Sequence, residues 1–150
     1  MTRINIIHPN ELTDQHLVAE YREIFMVGSA LQRSLQSKNW NPNTIPGKFT
    51  LNTGHVKFFY DKGKYLSDRY DSIRNEMIAR GMNPDPDRVF KREQWPDELW
   101  NDWTPTLEDI KLIKQRIQER IDKKPDWICC HSESSLAQSE HHYALGYACQ

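Results

Sequence analysis

Leu17, Tyr21, Ile24, Gly28, Leu31 and Leu35 follow one another at alternating steps of four and three residues, which lays them along one side of a helix. The run from Thr13 to Ser37 is therefore expected to be helical, with Thr13 as its N-cap and Asp14 in the first turn, where the helix dipole favours an acid. On the same wheel His16, Glu20, Glu23 and Val27 form a stripe bordering the apolar side. A carboxylate on such a border is partly desolvated yet reachable, which suits it to proton transfer. A second apolar stripe, Leu66, Tyr70, Ile73 and Met77, predicts a helix from about Lys64, stopped by Gly81 and by Asn83-Pro84-Asp85-Pro86. A third, Ile110, Ile113, Ile117 and Ile121, predicts a helix that opens at Pro105 with Thr106-x-x-Asp109 and ends near Lys124-Pro125.

The remaining segments lack a sustained period. Up to Leu12 the chain reads as short and extended, closed by a turn at Pro9-Asn10, and residues 37–54 read as a loop in which Trp40 is a packing anchor. From Asp85 to Thr104 a long wrapping loop is expected, carrying Trp95, Trp100 and Trp103, with a turn of helix at Asp97 to Trp100. With no internal repeat and no boundary, the pattern predicts a mainly α fold: a compact single domain of three principal helices with long irregular connections.

Composition changes this picture little. A chain of 150 residues, 37% hydrophobic and 27% charged, has the length of one domain with one modest core. No apolar run approaches the ~18 residues of a membrane span and no signal peptide opens the chain, so an intracellular protein is expected. All three cysteines (Cys129, Cys130, Cys149) follow Ile128, which argues against a disulfide framework and fits a reducing compartment.

Charge changes it more. The net charge of −1 does not by itself suggest nucleic acid, where neutralised phosphates supply most of the non-specific affinity. The charges are unevenly placed, however: all 20 Lys and Arg lie at or before Lys124, and eight acids crowd between Asp85 and Asp109. A basic face can thus coexist with an acidic loop. Arg116, Arg120 and Lys123 project together on one flank of the third helix, and arginine suits bidentate phosphate contact. After Trp127 the composition shifts abruptly, to a segment without Lys or Arg; residues 128–150 are expected to be a divergent, disordered tail. Its Cys129-Cys130-His131, His141-His142 and Cys149 are zinc-capable ligands, but their adjacency and irregular spacing argue against a metal site.

One nucleophile is available at the start. Met1-Thr2 permits methionine removal because Thr is small, and the exposed Thr2 α-amine would have a reference pKa of only ~7.7–8.0, against ~10.4 for a lysine. Thr2-Arg3-Ile4-Asn5, Asp14-Gln15-His16-Leu17, Ala19-Glu20-Tyr21-Arg22-Glu23 and Gly54-His55-Val56-x-Phe58-Phe59-Tyr60-Asp61-Lys62 together resemble the phage-type pyrimidine-dimer DNA glycosylase/AP lyases, with recognisable spacing from Met1 to about Trp127. That span sets the expected domain, residues 1–127.

The resemblance implies a DNA repair enzyme that cuts the 5′ glycosidic bond of a cyclobutane pyrimidine dimer and then nicks the abasic strand through an imine on the Thr2 α-amine. It implies no cofactor and no metal. By spacing alone Glu20 and Glu23 compete for the catalytic carboxylate; the resemblance assigns Glu23. It also implies DNA contacts at Arg3, Gln15, His16, Arg22, Arg116 and Arg120. Its partner would be double-stranded DNA containing pyrimidine dimers or abasic sites, bound by a monomer that does not engage membranes. His55 and Phe58-Phe59-Tyr60 read as core and as a floor beneath the site. Two departures stand out: Met26 occupies a basic position of the resembling proteins, and nothing after Trp127 reproduces their short aromatic and basic terminus. These leave open two other readings, an AP lyase lacking dimer preference and a non-catalytic DNA- or partner-binding relative.

Overall fold

A computed structural model describes residues 4–123, and helix is the only regular structure among them. The readings of Thr2, Arg3 and the tail at 128–150 fall outside the described residues. The helices are α1 (Asp14–Glu23), α2 (Phe25–Leu35), α3 (His55–Phe58), α4 (Gly63–Ala79) and α5 (Leu107–Lys123), with short 3-10 turns in the connections. No helix among the described residues is long and apolar enough to cross a membrane.

The first expected helix is two helices. Ile24 closes α1 with its N–H on the Glu20 carbonyl at 2.9 Å, and Val27 then bonds back only three residues, to the Ile24 carbonyl at 3.3 Å. This tighter step interrupts the α-helical ladder without a proline or glycine at position 24. The apolar side continues across the break, with Leu17, Tyr21, Ile24, Gly28 and Leu31 all buried. The expected border stripe is corrected in part: Val27 is fully buried and Glu20 is 1% exposed, so only His16 and Glu23 lie partly open to solvent.

The helix ends follow their local chemistry. Thr13 caps α1 by accepting the His16 N–H at 3.3 Å. Thr106 and Asp109 form a reciprocal capping box ahead of α5, at 3.0 and 3.2 Å. At the end of α4, Gly81 adopts φ +77°, Gly81 N–H bonds to Ile78 and Met82 N–H bonds to Met77, both at 2.9 Å. This is the Schellman stop, and it requires the left-handed residue that glycine supplies.

The tryptophan-bearing loop between α4 and α5 is a strap that closes the core. Trp95 donates its indole N–H to the Tyr60 carbonyl at 3.1 Å, and Gln32 donates to the Gln94 carbonyl at 2.6 Å. Glycines on two helices admit this strap: a Cβ at Gly28 would lie 2.9 Å from the Trp95 ring, and one at Gly63 would lie 2.6 Å from it. Ile113 and Ile117 of α5 complete the interior, with Ile110 and Ile121 half-buried at either end. The turn expected at Asp97 to Trp100 is a 3-10 turn at Asp97–Leu99.

Candidate functional site

The chain enters the core as a buried segment, Ile4-Asn5-Ile6-Ile7, and polar side chains from three helices hold it there. The Ile4 N–H donates to His55 Nε2 of α3 at 3.0 Å. Asn5 Nδ2 donates to Glu20 Oε2 of α1 at 3.0 Å. Arg69 Nη1 of α4 donates to the Ile7 carbonyl.

Glu20 and Arg69 are the hub of this arrangement. Arg69 Nε and Nη2 meet Glu20 Oε1 and Oε2 at 2.8 and 3.1 Å, and the Glu20 side chain is wholly removed from solvent. Burial works against the Arg69 charge, but the Glu20 carboxylate, through its charge and its hydrogen bonds, outweighs it and holds the guanidinium more firmly protonated than usual. Every contact of this carboxylate recorded in the structure serves the interior.

Glu23 lies one turn further on, the last residue of α1 and partly exposed. The break at Ile24 follows immediately, so the carboxylate stands where the helix ends. Among the described residues, Arg120 of α5 is an electrostatic neighbour of it. Partial desolvation and the adjacent Arg116 charge pull Arg120 below the ordinary arginine range, and Glu23 opposes them. Arg116 also reaches Glu119 at 3.4 Å. Helix α5 is fastened near the start of the domain by Lys114 on Glu11 at 2.5 Å.

The other expected DNA contacts spread along α1. Arg22 is exposed in its last turn, and its carbonyl accepts Arg88 Nη2 at 2.8 Å. Arg88 in turn lies over the Phe25 and Tyr21 rings, 4.6 and 5.3 Å from their centroids, beside an open depression of about 360 Å³ lined also by Ser29, Asp85 and Lys91. Gln15 and His16 are at the opposite end, partly exposed, with His16 Nδ1 2.7 Å from Thr13 Oγ1. Positions 16 and 23 are two helical turns apart on one side of α1, about 10 Å along its axis. The structure thus brings Glu23, Arg22, Arg116 and Arg120 to one end of α1 and leaves Gln15 and His16 at the other.

Three side chains that matter here were not singled out as site residues by the sequence reading. Arg69 is the most legible of them: it occupies the position three after Leu66 and so falls on the inward stripe of α4, where an arginine demands a buried carboxylate. The sequence places His55 in the floor of the site, but its bond to the Ile4 amide joins segments 51 residues apart and has no signature in the sequence. Arg88 follows the proline-rich stop after α4 and likewise carries no periodic signal. A family model described as pyrimidine dimer DNA glycosylase matches residues 1–89 of the chain.

Proposed function

The chain belongs to the pyrimidine dimer DNA glycosylase family, and from that premise we propose a two-step reaction on ultraviolet-damaged duplex DNA. Family membership makes it a DNA repair glycosylase that binds damaged DNA. The finer mechanism is our reading. The Thr2 α-amine attacks C1′ of the 5′ nucleotide of the dimer: the N–C1′ bond forms, the C1′–N1 bond breaks and the base leaves. Loss of the amine proton and opening of the sugar ring give an imine. The protonated imine acidifies C2′; proton loss there breaks the C3′–O3′ bond and releases the 3′ phosphate, and hydrolysis of the imine restores the amine.

Glu23 is the carboxylate for this site. It stabilises positive charge developing at C1′ and carries protons, while Glu20 is committed to Arg69 and Asn5. Arg3, Arg22, Arg116 and Arg120 engage phosphates, and Gln15 and His16 contact the DNA beside the lesion. The observation that carries the reading is the bond between Asn5 and Glu20. It ties the start of the chain to α1 three residues before Glu23, with Thr2 three residues upstream of Asn5 along the backbone.

Borohydride trapping tests this. Protein shown to lack Met1 is incubated with labelled duplex containing a thymine dimer or an abasic site, and the adduct is mapped. A covalent complex on both, at Thr2, is expected; no adduct on either would end the catalytic reading in favour of a DNA-binding relative. One observation favours a narrower activity. Met26, three residues after Glu23 and where the resembling proteins carry a basic residue, is 52% exposed, which on this reading would leave one phosphate without its partner. Trapping on the abasic duplex alone would assign the protein as an AP lyase without dimer preference.

A further inference from the structure

We propose that His55 is a positioning residue for the nucleophile, acting by holding the Ile4 amide through its Nε2; this rests on the reading of Thr2 as the reacting amine.

The imidazole is buried, and both of its nitrogens are engaged by backbone. Nδ1 lies 2.8 Å from the Thr50 carbonyl, which can only accept, so Nδ1 carries the proton. Nε2 is therefore the acceptor, and it takes the Ile4 N–H at 3.0 Å. This fixed tautomer allows no exchange of roles: a proton on Nε2 would set donor against donor. The ring itself has little freedom to move, because Phe49 and Phe59 meet it edge to face at centroid distances of 5.4 Å each.

The place of this bond along the chain gives it a catalytic consequence. Ile4 is the first described residue of the buried segment, and the chain is held after it at Asn5 by Glu20 and at Ile7 by Arg69. Those two ties fix the depth of the segment in the core. Among the described residues the Ile4 amide is the tie nearest the amine, two residues away, and two residues reach at most about 7 Å. Losing the other ties loosens the core. Losing this one frees the backbone next to the nucleophile, where an error of ~1 Å costs on the order of a hundredfold in rate.

The test separates attack from binding and folding. His55→Phe keeps an aromatic ring in the niche and removes the acceptor; His55→Gln supplies a carbonyl acceptor and an amide donor in its place. Each variant is compared with wild type in thermal unfolding, in affinity for duplex carrying a tetrahydrofuran abasic analogue, which cannot form an imine, and in the single-turnover rate of borohydride-trapped imine on saturating abasic duplex. His55→Phe is expected to bind the analogue within about threefold of wild type and to form imine about ten- to a hundredfold more slowly; His55→Gln is expected to recover most of that rate. Replacing the Ile4 amide by an ester removes the same hydrogen bond with no side-chain change, and should slow imine formation likewise even if His55→Phe fails to fold. Wild-type imine rates in the ester variant, or a His55→Gln variant as slow as a folded His55→Phe, would overturn the proposal. An absence of adduct in the wild type would overturn the Thr2 reading itself, and the positioning role with it.

Discussion

Arg69 and Glu20, 49 residues apart in the chain, form a two-pronged ion pair in the interior with neither side chain open to solvent. Removing one partner of such a pair leaves a charge with nowhere to go. Arg69→Met is expected to destabilise the fold by about 3–5 kcal/mol, measured by urea unfolding, because Glu20 would remain buried and unpaired. A loss below about 1 kcal/mol would mean that the carboxylate gains water or a proton at little cost, and that the pair is not a structural hub.

Glu23 is expected to behave oppositely. Glu23→Gln should unfold close to wild type and bind dimer-containing duplex with similar affinity, while glycosylase turnover falls by on the order of 10²–10⁴. Turnover that survives undiminished would take Glu23 out of the mechanism.

Arg116→Ala and Arg120→Ala should each weaken damaged and undamaged duplex to a similar extent and lower the slope of log affinity against log salt by about one. Filter-binding or fluorescence titrations over a salt series decide it. A loss confined to dimer-containing DNA would show instead that these arginines read the lesion.

The domain should be sensitive to base. Burial first, and then the neighbouring Tyr21 hydroxyl, push the Tyr70 phenol up from its ordinary 10.0 to about 12, and burial raises Tyr65 as well. Both phenols keep their protons in the folded state at pH values where the unfolded chain has begun to lose them. The Tyr70 contribution is therefore fully present below about pH 10 and is lost as pH rises through about 12, and that of Tyr65 changes in the same direction. Urea midpoints measured across that range should fall, and Tyr70→Phe should flatten part of the fall. An unchanged profile in Tyr70→Phe would contradict the assignment.

The helical frame was readable because burial imposes a period. Leu66, Tyr70, Ile73 and Met77 all lie inside, and Gly81 and the Thr106 box end and begin helices as their chemistry requires. The break at Ile24 was not readable, since no proline or glycine marks it and the apolar stripe continues through it. Of the site, the competition between Glu20 and Glu23 was visible, but what commits Glu20 to the interior comes from Arg69 on another helix. Local pattern shows which side of a helix faces inward; it does not name the partner waiting there.

The strap has a consequence for the order in which this protein is made. Its closing residues, Trp95 and Trp100, lie beyond the 1–89 span that the family model matches, yet they fill the notches at Gly28 and Gly63 within it. A ribosome adding ~5–20 residues per second delivers α1, α2 and α4 first, with both notches unfilled. The nascent chain must then carry those apolar surfaces uncovered until the tryptophans clear the exit tunnel. Until the tryptophans arrive, the notched faces at Gly28 and Gly63 are the surfaces of this domain that a chaperone would have to shield.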